Sequence, residues 1–264
     1  MRRFFLLTTA LTLLFVSCAK VPVTGRKQLN LLPSSQMQEL SATSYSDFLS
    51  KNPVLPKSNP KARKIEKIGQ DIASATETYL SQNGFKDMVD KFQWEFNLVE
   101  DETINAWCMP WGRVVFYTGI LPICENDQGI AVVMGHEIAH AVARHGNERM
   151  SQQVAIQGAG LTLSALLQEK PQLTQELALQ AFGVGSQLGS LAYSREHESE
   201  ADKMGLIFMA MAGYDPREAP ELWKRMAEQG GAQPPEFLST HPHPETRIED
   251  LNAFMDEALK YYDP

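Results

Sequence analysis

The sequence predicts an α+β fold that is mostly helical, with a small antiparallel sheet over one apolar helix. The first observation is a cluster of strand-like segments in the middle of the chain, beginning with the alternation of apolar and polar residues from Phe92 to Leu98. The second is the helical character of nearly everything after Asp127, with short breaks at prolines. Because strands and helices are grouped rather than alternating, we do not expect βαβ units.

Local signals define the remaining elements. Helices are predicted at residues 34–50 and 61–80, on either side of a proline-rich segment, and further strands at residues 103–109 and 113–118. The chain has 264 residues, 43% of them hydrophobic, which is enough for one sizeable core. The net charge of −8 leaves no basic surface for phosphates, so nucleic acid is not an expected partner.

The N-terminus predicts export. Arg2 and Arg3 precede an uncharged apolar run that is shorter than the ~20 residues of a membrane-spanning helix, so residues 1–17 are predicted to be a signal peptide. Ser17 directly before Cys18 resembles a bacterial lipobox. This resemblance implies a lipid on Cys18 and a place on the periplasmic side of the bacterial envelope, anchored to the membrane. Ala19 favours the outer membrane over the inner. The alternative is an ordinary secretion signal with an unrelated cysteine.

The mature chain is predicted to have two parts. Residues 18–60 are interpreted as a lipid-anchored tether followed by an N-terminal helix, and residues 61–264 as the functional domain. Two cysteines, Cys108 and Cys124, lie in that domain. The sequence favours two separate thiols, but an exported protein can pair its cysteines, and the choice stays open.

The central motif is the pentapeptide from His136 to His140 inside an apolar helical run. Residues four apart on a helix lie on one face, so the two imidazoles can hold one Zn²⁺. Glu137 lies beside them without being a ligand. It is therefore predicted to be the general base that takes a proton from a metal-bound water.

A third ligand is expected from the acidic segment between Ser194 and Asp202. Glu198 is preferred because Asp202 follows one turn later on the same face, where it can accept the other ring N–H of a ligating histidine. Glu200 is the second choice. Otherwise Glu196 and Glu200 are interpreted as a solvated acidic face.

Four further residues are predicted to lie outside the ligand set. His145 and His197 are not placed to share the ion and are interpreted as surface or second-layer histidines. His241 lies in a stiff loop between prolines, from which it could donate to an oxyanion or close the open metal position. Arg247 could form a bidentate pair with Glu198. A polar surface turn is the alternative for this loop.

Together these motifs resemble peptidase family M48, over roughly residues 61–262, and the small exported lipoprotein type within it. The resemblance implies a gluzincin fold with His136, His140 and Glu198 as zinc ligands and Glu137 as base. It also implies that His241 is the switch or transition-state residue, with Arg247 as its companion. A departure is Trp111-Gly112, where the family commonly has two glycines.

The resemblance further implies how substrate is bound and which substrates are cut. The edge strand around Ala106–Met109 would bind the substrate backbone by strand addition. The expected function is hydrolysis of misfolded or misassembled cell-envelope proteins. Two alternatives remain: an envelope chaperone or assembly factor with a latent zinc site, and a metal hydrolase that acts on something other than peptides.

Overall fold

A computed structural model describes residues 18–229, 235–241 and 244–263. The predicted signal peptide, the side chain of Cys18 and residues 242–243 lie outside what it describes. The strands are β1 (Cys18–Lys20), β2 (Lys27–Leu29), β3 (Glu95–Val99), β4 (Ala106–Met109) and β5 (Arg113–Tyr117). The helices are α1 (Ser34–Lys51), α2 (Pro60–Gln82), α3 (Lys86–Val89), α4 (Leu121–Cys124), α5 (Asp127–Val142), α6 (His145–Leu167), α7 (Gln172–Met211), α8 (Glu218–Glu228), α9 (Glu236–Thr240) and α10 (Pro244–Ala258).

The main sheet has three strands in the order β3-β5-β4. β4 and β5 form the predicted antiparallel hairpin, but β3 pairs in parallel with β5. The prediction of an antiparallel sheet is therefore wrong for β3. β4 runs opposite to both β3 and β5, so β3 and β5 run in the same direction. Because β5 rather than β4 lies in the centre of the sheet, β3 has a parallel neighbour. β4 is left as an edge strand.

The core lies between this sheet and helices α2, α5, α7 and α8. α5 is central, since every residue from Gly129 to Val142 is buried. The helix starts where predicted, because the Asn126 side chain accepts hydrogen bonds from the backbone N–H groups of Gln128 and Gly129. A buried central helix with this strong cap gives the site a rigid base.

The segment predicted to be a tether is folded onto the domain. β1 and β2 form an antiparallel hairpin, Val21 and Gln28 are buried, and the backbone N–H of Leu31 donates to Ser151 at 2.9 Å. The prediction of a tether is wrong for this segment because short strands with mixed charge lack the periodicity of a core element. This hairpin contacts the base of the α6–α7 pair, that is, the part of the two helices that lies nearest the site.

Beyond that base, α6 and α7 extend as a pair with many exposed apolar side chains, including Leu161, Leu173 and Leu188. None of the helices that the structure describes combines the length and apolar character needed to span a bilayer.

Candidate active site

His136 and His140 lie on one face of α5, as their spacing predicts. Both are buried, and their Nε2 atoms are 3.0 Å apart. Burial holds the pKa of His140 well below its usual value, which keeps the imidazole neutral, as a metal ligand must be. The two rings therefore direct lone pairs toward a common point.

α7 brings Glu198 to the same point because two glycines let the helices approach closely. A Cβ on Gly135 would lie 2.9 Å from the carbonyl oxygen of Gly205, and a Cβ on Gly205 would lie 2.9 Å from the backbone nitrogen of His136. With no side chain between the helices, the Glu198 carboxylate lies 3.3 Å from His136 Nε2 and 3.4 Å from His140 Nε2.

His241 joins these three side chains from the end of α9. Its Nδ1 lies 3.2 Å from His136 Nε2 and 2.9 Å from Glu198 Oε2. One donor atom from each of these four residues lies within 4.8 Å of the other three. We call His136, His140, Glu198 and His241 the metal cluster.

The metal cluster has the chemistry and spacing of a metal site. Ligands bound tetrahedrally at ~2.0–2.2 Å are about 3.3 Å apart, which is close to the separations observed. Glu198 Oε1 is buried without a hydrogen bond from any described residue, as expected for an oxygen that faces a cation. A set of imidazoles with one carboxylate suits zinc. These residues therefore fit such an ion.

Asp202 and Arg247 orient the cluster from one side. Asp202 Oδ1 lies 3.0 Å from His136 Nδ1, which is the predicted contact. Arg247 binds Asp202 through Nε at 2.7 Å and Nη2 at 2.6 Å, while its Nη1 is 3.2 Å from Glu198. The bidentate partner of Arg247 is thus Asp202 and not Glu198, because α10 places the guanidinium alongside α7, one turn beyond Glu198.

Glu137 lies beside the cluster without belonging to it. Its carboxylate is 3.5 Å from His241 Nε2, and its Oε1 is buried without a hydrogen bond in the part of the chain that the structure describes. Burial raises the pKa of Glu137 to about 7, although the neighbouring His241 opposes this and the charge of Glu198 adds to it. A carboxylate in this range can accept and return a proton near neutral pH.

A second polar layer lies beneath His140. His145 is fully buried, with Nδ1 2.8 Å from His140 Nδ1 and Nε2 3.0 Å from Glu200. His197 is also buried and lies 2.8 Å from Glu148. Arg26 of the N-terminal hairpin joins the two carboxylates, with Nη2 2.7 Å from Glu148 and 2.8 Å from Glu200. We call Arg26, His145, Glu148, His197 and Glu200 the support network.

Burial alone would raise the pKa values of both carboxylates in the support network. Hydrogen bonds from His197 and Arg26 instead lower the pKa of Glu148 to about 2, and those from His145, Arg26 and Thr24 do the same for Glu200. Both glutamates are therefore ionised at all ordinary pH values. Glu200 holds His145, the histidine that contacts His140, and Glu148 holds His197, which stacks on His145.

The support network corrects several interpretations. Glu200 is neither a ligand nor solvated, whereas Glu196 is half exposed as predicted. His145 and His197 belong to a second layer and not to the surface. Arg144 has a left-handed backbone, with φ of +56°, so α5 ends and α6 turns His145 back under the cluster. Arg26 and Glu148 carried no sequence signal, since their partners are more than a hundred residues away or on another helix.

The turn before β5 brings Cys108 and the edge strand next to Glu137. The backbone N–H of Cys108 donates a hydrogen bond that lowers the pKa of Glu137. Cys108 and Cys124 are separate thiols, and burial raises both pKa values, that of Cys124 to about 12. The open question of a disulfide is thus answered in favour of two thiols.

Comparison with known proteins agrees with this geometry. A family model described as Peptidase family M48 matches residues 61–255. The mitochondrial metalloendopeptidase OMA1 of Saccharomyces cerevisiae is 35% identical over 218 residues, covering 80% of this chain and 60% of the yeast protein. The human metalloendopeptidase OMA1 is 30% identical over 250 residues, covering 90% of this chain and 46% of the human protein.

A bacterial relative is the beta-barrel assembly-enhancing protease of Escherichia coli, which is 30% identical over 165 residues, covering 61% of this chain and 34% of that protein. The chain therefore spans only part of the length of each of these relatives. The match of the family model covers most of the chain and includes every residue of the metal cluster. The resemblance of the motifs to the family is confirmed, while the lipoprotein type within it stays a prediction, and this chain belongs to peptidase family M48.

Proposed function

We propose that this chain is a zinc-dependent endopeptidase with His136, His140 and Glu198 as metal ligands. The observation that carries the proposal is the convergence of these three donors at ligand spacing, with the carboxylate of Glu137 beside them and outside the set. A purely structural zinc site has four protein ligands and gives a neighbouring base no role.

Zn²⁺, when bound, supplies a Lewis acid that lowers the pKa of water and polarises a carbonyl group. Glu137, with its pKa near 7, then takes a proton from the attacking water and delivers it to the leaving amine. The outer edge of β4 holds the peptide main chain in extended form by strand addition, next to Glu137.

His241 has two states in this proposal. In the structure its Nδ1 lies in hydrogen-bonding contact with Glu198 and beside His136, a position from which it would be a fourth ligand to a bound metal ion. Substrate replaces it there, and the displaced imidazole donates to the oxyanion. The same contact supports the second candidate function, an envelope chaperone or assembly factor in which His241 keeps the site latent.

We further propose that the protein is exported and held to the bacterial envelope by a lipid on Cys18, the outer membrane being favoured, and that its substrates are misfolded or misassembled envelope proteins. The N-terminal motif supports the anchor, and the relative named as a beta-barrel assembly-enhancing protease supports the envelope. Metabolic labelling with a palmitate analogue tests the anchor. The Cys18→Ser variant should take up no label, and the control variant Cys108→Ser should be labelled like the parent.

The decisive experiment compares residues 19–264 with the Glu137→Gln variant for zinc content and casein cleavage. One zinc in both, with cleavage reduced at least 100-fold in the variant, is expected for loss of a general base. Absence of zinc from the folded parent would overturn the proposal. Zinc without cleavage, if His241→Ala then restores cleavage, identifies a latent protease. Cleavage by that variant no greater than by Glu137→Gln favours the chaperone, whereas slow cleavage is still expected of a protease that has lost its oxyanion donor.

A further inference from the structure

A small cavity opens beside the metal cluster, on the side of His140. Its volume is about 50 Å³, which holds a few water molecules or a short side chain. The walls come from β4 and its turn, from the end of α5, from the start of α6 and, through one methionine, from α1, and they include Cys108, Trp111, Arg144 and Arg149. The cavity therefore lies between the edge strand and a proposed metal ligand, where the side chain of a strand-bound peptide would enter.

The charge in this cavity is of one sign. Arg144 and Arg149 line it, no carboxylate does, and neither arginine forms an ion pair with a carboxylate in the described part of the chain. Arg144 is half-buried and its Nε, fully shielded from solvent, finds no hydrogen-bond acceptor among the described residues. Leaving a desolvated charge without a counter-ion is costly, and it is unexpected in a protein with a net charge of −8.

The backbone adds two further observations. The N-terminus of α6 lies at the cavity, where no side chain caps it, and the positive end of this 23-residue helix favours an anion. Arg144 and Trp111 both have left-handed backbones, with φ of +56° and +71°, and the guanidinium lies 5.0 Å from the Trp111 ring centroid. Two non-glycine residues in this rare conformation meeting in one cavity indicate a functional constraint.

We propose that Arg144 and Arg149 form a subsite that binds an acidic side chain of the protein substrate. Arg144, whose guanidinium lies over the Trp111 ring, donates to the carboxylate, and the exposed Arg149 adds its charge from the rim. This subsite deepens the proposed endopeptidase function by naming a substrate feature: Asp or Glu within a few residues of the bond that is cut.

The test uses pairs of C-terminally amidated fluorogenic peptides that differ only by Glu or Gln, with the position varied on both sides of the scissile bond. At one position the Glu peptide should be cleaved with a kcat/KM roughly 10- to 100-fold higher, the effect of a hydrogen bond to a charged group. Arg144→Gln should reduce this ratio to nearly one, and Arg149→Gln should reduce it partly. Arg63→Gln, which removes an exposed charge from α2, is the control and should keep it.

A carboxylate can come from an acidic side chain or from the C-terminus of a peptide, and peptides with a free C-terminus distinguish the two. A preference only for peptides with a free C-terminus would overturn the assignment to a side chain. Binding of the same peptides to Glu137→Gln, followed by fluorescence anisotropy, separates the subsite from the chemistry. If the Glu peptide binds more tightly than the Gln peptide but the parent cleaves neither, the subsite is supported and the proposed hydrolysis is overturned. Cleavage with equal rates at every position would overturn the subsite and keep the hydrolysis.

Discussion

The metal cluster and the support network are built from the same residue types and yet differ in what completes them. Both are buried, both combine histidines with glutamates, and they meet where His140 contacts His145. The support network contains its own cation, Arg26, and both oxygens of Glu148 and Glu200 accept hydrogen bonds. In the metal cluster, Glu198 keeps an oxygen without such a bond among the described residues. The converging acceptors of the metal cluster thus leave room for a metal ion, whereas the similar set in the support network is already completed by an arginine.

The largest effect that sharpens this comparison is expected from removing one ligand. Glu198→Ala should lose zinc, with an affinity reduced by more than the ~10–100-fold typical of changes around a metal site's ligands, and should lose cleavage with it. Glu200→Gln, on the same helix, should keep one zinc per chain. Zinc per chain after dialysis against a competing chelator measures both. Zinc retained by Glu198→Ala would show that this glutamate is not a ligand.

The next effect concerns the cation of the support network. Arg26→Ala leaves two carboxylates buried without a counter-ion, and we expect it to lower the free energy of unfolding by about 3–5 kcal/mol. Arg217→Ala removes an exposed arginine that also pairs with a carboxylate and should cost no more than about 1 kcal/mol. Urea denaturation of zinc-free protein measures both values. Equal losses would mean that the N-terminal hairpin does not support the site.

These two layers also differ in how far the sequence revealed them. The proposed ligands on α5 follow from the spacing of His136 and His140, since helix periodicity alone puts both on one face. The place of Glu198 followed from its relation to Asp202. The contact of Arg26 with Glu148 joins residues 122 positions apart and leaves no local pattern. The left-handed Arg144 breaks the helix at a residue that no composition rule marks, so the sequence left open whether His145 lies at the surface or in a second layer.

The sheet gives the same lesson at the level of topology. Alternation of apolar residues identifies a strand and its buried face, and the predicted hairpin of β4 and β5 is correct. Periodicity does not say which neighbour a strand takes, and β3 pairs with β5 through long-range packing. Local signals thus predict elements and ligand pairs, whereas pairings across the chain require the folded structure.

A smaller effect is expected from Asp202, the carboxylate that lies between the metal cluster and Arg247. Asp202→Asn removes the carboxylate that orients His136 and binds Arg247, and we expect zinc affinity to fall about 10- to 100-fold. Asp250→Asn removes an exposed carboxylate that lies near α7 and serves as the control. Competition with a chromogenic zinc chelator measures the affinity. An unchanged affinity in Asp202→Asn would show that the contact with His136 contributes only to packing.

The smallest effect tests the two carboxylates of the support network by pH. Their pKa values are lowered to about 2, from about 4.5 in an unfolded chain, so their contribution to stability is complete above pH 4.5 and is lost as the pH falls toward 2. Zinc-free protein should therefore lose on the order of 1–3 kcal/mol per carboxylate across this range. In Arg26→Ala the loss should be smaller and occur at higher pH, because the cation that lowers both pKa values is gone. Urea denaturation at several pH values between 6 and 3 follows the change. Parallel curves for the parent and Arg26→Ala would show that the histidines alone keep these glutamates ionised, and the support network would then need no cation of its own.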